Sequence, residues 1–111
     1  MKKRIIDGVG FEIGSGNVFA DLGLPDAEKL KIKSGLVFEI DEAIRRLGLT
    51  QEQAARRMGI PQPKVSGLMR GDFANFSERK LMDCLTRLGY DIEITVKRAE
   101  AETGHLVLAV G

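Results

Sequence analysis

The chain has 111 residues, 43% of them apolar and 30% charged, and its seventeen basic and sixteen acidic side chains leave a net charge of +1. These are the proportions of one ordinary globular domain, and a charge so near zero neither selects nor excludes nucleic acid. One cysteine (Cys84) and one histidine (His105) exclude an internal disulfide and a metal-ligand cluster, and no apolar run is long enough to span a bilayer.

The start, Met1 to Gly8, lacks the apolar stretch of a signal peptide, so a cytoplasmic location is expected. Residues 1–24 read as an N-terminal arm. The glycine-rich stretch "GVGFEIGSG" has no strand before it and no helix directly after it, which makes it flexible chain and not a phosphate loop. One helical turn is possible around Phe19 to Leu22.

From Pro25 a longer helix is predicted. Proline suits its first turn, Asp26 and Glu28 suit the positive end of its dipole, and Leu36, Val37, Ile40, Ala43, Ile44 and Leu47 recur at helical spacing up to Gly48. Ser34 and Gly35 are weak points where this helix could break or kink. Thr50-Gln-Glu-Gln53 has the form of a capping box and opens a second helix that ends at Gly59. A third begins near Gln62-Pro63 and ends at Gly71. A fourth has Ser77 as N-cap, Phe76 placed to staple onto Leu81, and Leu81, Leu85 and Leu88 along one face, with Gly89 as the stop. Cys84 falls inside that apolar pattern, as a buried structural thiol would.

Beyond Gly89 the period changes. Tyr90, Ile92, Ile94 and Val96 alternate with polar residues, the signature of a half-buried strand, and residues 105–110 form a second strand or a loose tail. A lone hairpin is marginal, so residues 90–111 are expected to pair with a second copy of the chain, the alternative being a hairpin within one chain.

The segment Gln51 to Arg70 meets the demands of a helix-turn-helix. Five positions must face inward where the helices cross, and they hold Ala54, Met58, Ile60, Val65 and Leu68. A small residue, Ala55, stands where the helices approach, and Gly59 stands at the turn, which requires positive φ. Chance helix pairs rarely satisfy all seven conditions. Between Thr50 and Lys80 the bases Arg56, Arg57, Lys64, Arg70, Arg79 and Lys80 outnumber the acids Glu52, Asp72 and Glu78.

This pattern, carried by "LTQEQAARRMGI" and "PKVSGLMRG", resembles the XRE, or lambda repressor-like, DNA-binding domains over roughly Ile40 to Gly89. The resemblance implies a mainly α fold, a helix-turn-helix domain of four to five helices over residues 25–89 with a C-terminal β-strand or hairpin. It further implies that Gln51 binds a phosphate and Gln62 reads a base edge. A glutamine amide offers a donor and an acceptor side by side, matching adenine N6 and N7 in the major groove. Lys64 and Ser66 are candidates for base or phosphate contacts and Arg70 for a backbone contact. Arg56 and Arg57 either meet a phosphate or cover a solvated face. Pro63, in the same DNA-facing turn, stands where many relatives carry a polar reader. Gly67 puts no side chain into the recognition helix, which suits either close approach to DNA or packing against the body.

Single domains of this kind read DNA weakly, so a homodimer on a palindromic operator is expected, with half-sites about 34 Å apart and a seam built from Tyr90, Ile92, Ile94 and Val96. The segment "SGNVFADLGLPDAEKLKIKSGLVFEI", followed by the helix-turn-helix and "LGYDIEITVKRA", resembles the HigA-type antitoxins of type II toxin-antitoxin systems. That resemblance implies a transcriptional repressor of its own operon that also neutralises a small basic toxin of the HigB/RelE class. Val18, Phe19, Leu22 and Leu24 form an apolar patch suited to holding such a partner, or to folding back on the core. A stand-alone repressor without a toxin, and a protein- or RNA-interaction module using the same helices, are the competing readings. No nucleophile with a base, acid-base pair or cofactor loop stands out, so no enzyme, cofactor or membrane partner is expected.

Overall fold

The computed structural model describes residues 26–111. The apolar patch of Val18, Phe19, Leu22 and Leu24, and the turn expected around it, lie outside the described residues. Four helices follow one another: α1 (Asp26–Leu47), α2 (Gln51–Met58), α3 (Gln62–Met69) and α4 (Glu78–Arg87). α1 packs chiefly on α4, and α2 chiefly on α3. One core joins all four through Ile40, Met58, Val65 and Leu81, each without solvent exposure.

α1 runs unbroken through Ser34 and Gly35, where the sequence allowed a kink. Ile32 and Leu36 are buried on either side of the glycine. Each such side chain contributes about 1.5–3 kcal/mol on burial, more than the ~1 kcal/mol that glycine costs a helix, so packing decides. The glycine also makes room for the C-terminal tail: a Cβ at residue 35 would lie 2.5 Å from Leu108 Cδ2.

All four helices stop at a glycine of positive φ (Gly48, Gly59, Gly71 and Gly89). At the end of α4 the Gly89 amide donates to the Thr86 carbonyl and the Tyr90 amide to Leu85, the double bond of a Schellman motif. At its start, Ser77 Oγ accepts the Lys80 amide at 3.0 Å. Phe76 and Leu81, the staple positions, are 6% and 0% exposed. Cys84 is fully buried between them and the helix end, and burial pushes its thiol pKa up, against the pull of Lys80 and with a further push from Asp83. The thiol therefore stays protonated and unreactive at neutral pH.

The C-terminal strand expected from the alternation is absent among the described residues; residues 90–111 carry no strand, neither over 90–96 nor as a hairpin with the tail. Ile92, Ile94 and Val96 are 36%, 59% and 92% exposed. Alternation marks a chain able to be half buried, but a strand exists only with a ladder partner, and one copy of this chain supplies none. The tail turns instead onto α1, where His105 Nδ1 lies 2.9 Å from Glu28 Oε1 and Leu106 packs against the core. Tyr90, assigned to the seam, is half buried, with the Arg46 guanidinium 5.5 Å from its ring centroid. No helix among the described residues is long and apolar enough to cross a membrane, and no group of three or more His, Cys, Asp or Glu there could hold a metal ion.

Candidate nucleic-acid interface

α2 begins with both bonds of the capping box: Thr50 Oγ1 accepts the Gln53 amide at 3.1 Å, and Gln53 Oε1 accepts the Thr50 amide at 2.9 Å. Gln51 is thereby held, exposed, in the first turn of the helix. The turn to α3 rests on Gly59, whose φ of 71° sends the chain back while its amide and that of Ile60 both donate to the Ala55 carbonyl. All of the positions assigned to the crossing are buried, with Ala54, Met58 and Val65 at 0%, Leu68 at 2%, Ala55 at 6% and Ile60 at 7% exposure. The crossing is therefore closed by packing, which fixes how α3 projects from the body.

α3 opens without a side-chain cap, Pro61 standing at that position. Its first turn, Gln62, Pro63 and Lys64, is exposed, as is Arg70 just past its end, and Ser66 is half buried. Gln62, Ser66 and Arg70 recur every four residues and share one edge of the helix with Pro63. Along that edge Arg70 Nη1 donates to Ser66 Oγ at 2.8 Å, which lays the guanidinium over the helix instead of letting it swing outward.

Lys64 does not join this edge. Two residues on from Gln62, it projects from another side of the helix, and its ammonium sits 5.6 Å from the Phe76 ring centroid. There it borders an open groove lined also by Pro61, Asn75, Ser77 and Lys80. The groove sets two ammonium groups and the amide of Asn75 beside the start of α4. Asn75 and Lys80 were not singled out from the sequence as site residues; the signal available was an asparagine two residues before the N-cap serine and a lysine three residues after it.

From Gln53 to Gly71 the chain carries Arg56, Arg57, Lys64 and Arg70 and no carboxylate. Arg57 and Arg56 have partners within the chain as well. Arg57 Nε donates to the Arg87 carbonyl at 3.3 Å, a cation at the negative end of α4. Arg56 lies 3.8 Å from Glu52 one turn back, an exposed pair worth about 0.3–0.5 kcal/mol.

Gly67 is buried, and a Cβ there would meet Asp72 O at 3.7 Å and Asp72 Cβ at 3.9 Å, ordinary contact distances. It faces the loop after α3 and not the exposed edge, which favours the packing role over close approach to DNA. Gly67→Ala is expected to stabilise the fold by up to about 1 kcal/mol in urea unfolding and to leave duplex affinity unchanged. A loss of affinity in a stabilised variant would return Gly67 to the interface.

Two helices crossing over a closed apolar seam, the second exposed along one polar edge, define a helix-turn-helix domain. The family described as "Helix-turn-helix domain" matches residues 18–97. A solved structure named "Putative XRE Family Transcriptional Regulator" is 36% identical, superposes with a TM-score of 0.70, and is matched over 78% of this chain and 97% of that one. None of the curated protein sequences matches the chain at a significant level. The chain belongs to the XRE family of helix-turn-helix DNA-binding regulators.

Proposed function

We propose that the chain is a sequence-specific transcriptional repressor that binds a palindromic operator as a two-fold dimer, and that it serves as the antitoxin of a HigB/RelE-like toxin-antitoxin pair. The observation that carries the DNA-reading half is the exposed edge of α3, where Gln62, Ser66 and Arg70 line up on a helix whose orientation the buried crossing fixes. In this reading Gln62 contacts a base edge, Gln51 and Arg70 contact phosphates, and Lys64 with Lys80 takes the backbone beside α4. The dimer half is supported by the alternation of Ile92, Ile94 and Val96, exposed in one chain and suited to a ladder between two. The toxin half is supported by the resemblance of the segment around "NVFADLGLP" to HigA-type antitoxins and by the apolar content of that segment.

Two measurements test the proposal. The first is titration of labelled duplex containing the upstream palindrome, beside random duplex, at several salt concentrations. Preference for the palindrome by 10³-fold or more with a steep fall of affinity with salt is expected; equal affinity for both duplexes, or none for either, would remove the repressor reading in favour of a protein- or RNA-interaction module. The second is co-expression of the tagged protein with its neighbouring reading frames. A small basic protein held stoichiometrically, and released when residues 1–24 are deleted from a chain that still binds DNA, is the expected result. Elution of the chain with no such partner, while it still binds the palindrome, would leave a stand-alone repressor.

A further inference from the structure

Among the described residues, the large apolar side chains left exposed fall into two stretches. Leu30 and Phe38 lie on α1, and Ile92, Ile94, Val96, Val107, Leu108 and Val110 follow α4; α2, α3 and α4 contribute none. The two stretches meet. The tail is seated on α1 by His105 against Glu28, by Leu106 against the core, and by Leu108 in the space that Gly35 leaves open. A Cβ at position 35 would lie 2.5 Å from the tip of Leu108, which would have to shift, so the glycine leaves a shallow socket on α1 for an apolar residue of an extended segment.

We propose that in the dimer the tails are exchanged: residues 105–110 of each copy seat in the Gly35 socket of the other, while the segments around Ile92 to Val96 pair as antiparallel strands between the copies. The exchange rests on the two-fold dimer proposed above and states how that dimer is closed. Residues 91–104, which connect the helical body to the tail, are exposed throughout and held by no ladder. Extended at ~3.3 Å per residue, they span on the order of 45 Å, enough to cross to a neighbouring body. Antiparallel pairing about a two-fold axis carries each chain away from its own helices and toward those of the partner. The tail then reaches the partner's α1 directly, without the bend over residues 100–103 that returns it to its own.

Exchange keeps every contact the tail makes within one chain, because the socket is the same on both copies. It adds what one chain lacks: a ladder for the 92–96 backbone, and neighbours across it for Ile94 and Val96, now 59% and 92% exposed. The single chain satisfies the socket and leaves the strand bare, whereas the exchanged dimer satisfies both.

The test is a full-length chain carrying Gly35→Cys and Leu108→Cys, with Cys84 retained because it is buried, oxidised and run on a non-reducing gel beside light scattering of the unsubstituted chain. Exchange yields a covalently linked dimer. A disulfide closed within single chains, in a protein that scatters as a dimer, overturns the exchange and leaves the dimer standing. A protein that scatters as a monomer at all concentrations overturns both. No disulfide at either level means that Leu108 does not occupy the Gly35 socket, which also overturns the exchange. As a second variant, should the double cysteine chain fail to fold, Gly35→Leu fills the socket. It is expected to raise the dimer dissociation constant at least tenfold while the helical circular dichroism is kept, and an unchanged constant would count against the exchange.

Discussion

Leu81→Ala is expected to lower the free energy of unfolding by about 2–5 kcal/mol, measured as a fall in the urea midpoint with an unchanged slope. Leu81 has no exposed surface and stands in the first full turn of α4, the helix that α1 packs on most extensively. Truncation there removes about three methylene-sized groups' worth of burial and leaves a void that the surrounding helices can only partly close. Small domains hold only about 5–15 kcal/mol in total, so the loss is a large fraction of the stability and DNA binding should fail with it near physiological temperature. A change below about 1 kcal/mol would mean that α4 can slide to refill the site, and that the seam between α1 and α4 is looser than its burial indicates.

Gln62→Ala is expected to cost about 1–3 kcal/mol of discrimination between the operator and single-base variants of it, equivalent to roughly 5- to 150-fold, with little change in the slope of log affinity against log salt. The separation follows from charge. Glutamine is neutral, so it releases no counterion, whereas loss of a cation that meets a phosphate, such as Arg70→Ala, should reduce the magnitude of that slope by about 1 and weaken all sequences alike. Gln62 is exposed in the first turn of α3 and aligned with Ser66 and Arg70, which suits it to reach a base edge while Arg70 holds the strand beside it. If Gln62→Ala weakened every duplex equally and left the sequence preference intact, its role would be positional and the reader would have to be sought elsewhere on that edge.

The two glycines inside helices show how far local sequence rules reach. By propensity, Gly35 and Gly67 are equal defects, and either could have ended its helix. In the structure they differ by what lies opposite: a methyl group at position 35 would displace the tip of Leu108, while Asp72 leaves room for one at position 67. Nothing near Gly35 in the chain carries that distinction, because Leu108 is more than seventy positions away, whereas Asp72 is only five residues from Gly67.

The candidate site divides in the same way. Gln51, Gln62 and Lys64 could be picked out by their distance from a cap or a turn, and all are exposed. That Lys64 leaves the Gln62 edge for Phe76 and Lys80, and that Arg57 is held by the Arg87 carbonyl, depends on where α4 comes to rest. Sequence alone treats all these cations as one local surplus; packing sorts them into a groove, a helix end and an exposed edge.

What the sequence determined by itself, then, is the start and stop of α2 and α4, the glycine that ends each helix, the register of the helix-turn-helix crossing and the identity of its buried residues. Those features depend on hydrogen bonds between groups three to six residues apart and on a 3.6-residue period, both of which are written locally. Only the tertiary structure decided that α1 stays whole through Gly35, that the tail lies on α1, and that the alternating segment after Gly89 remains unpaired in one chain. Each of these is settled by a partner distant in sequence or outside the chain, and a strand in particular has no existence apart from the ladder that satisfies its backbone.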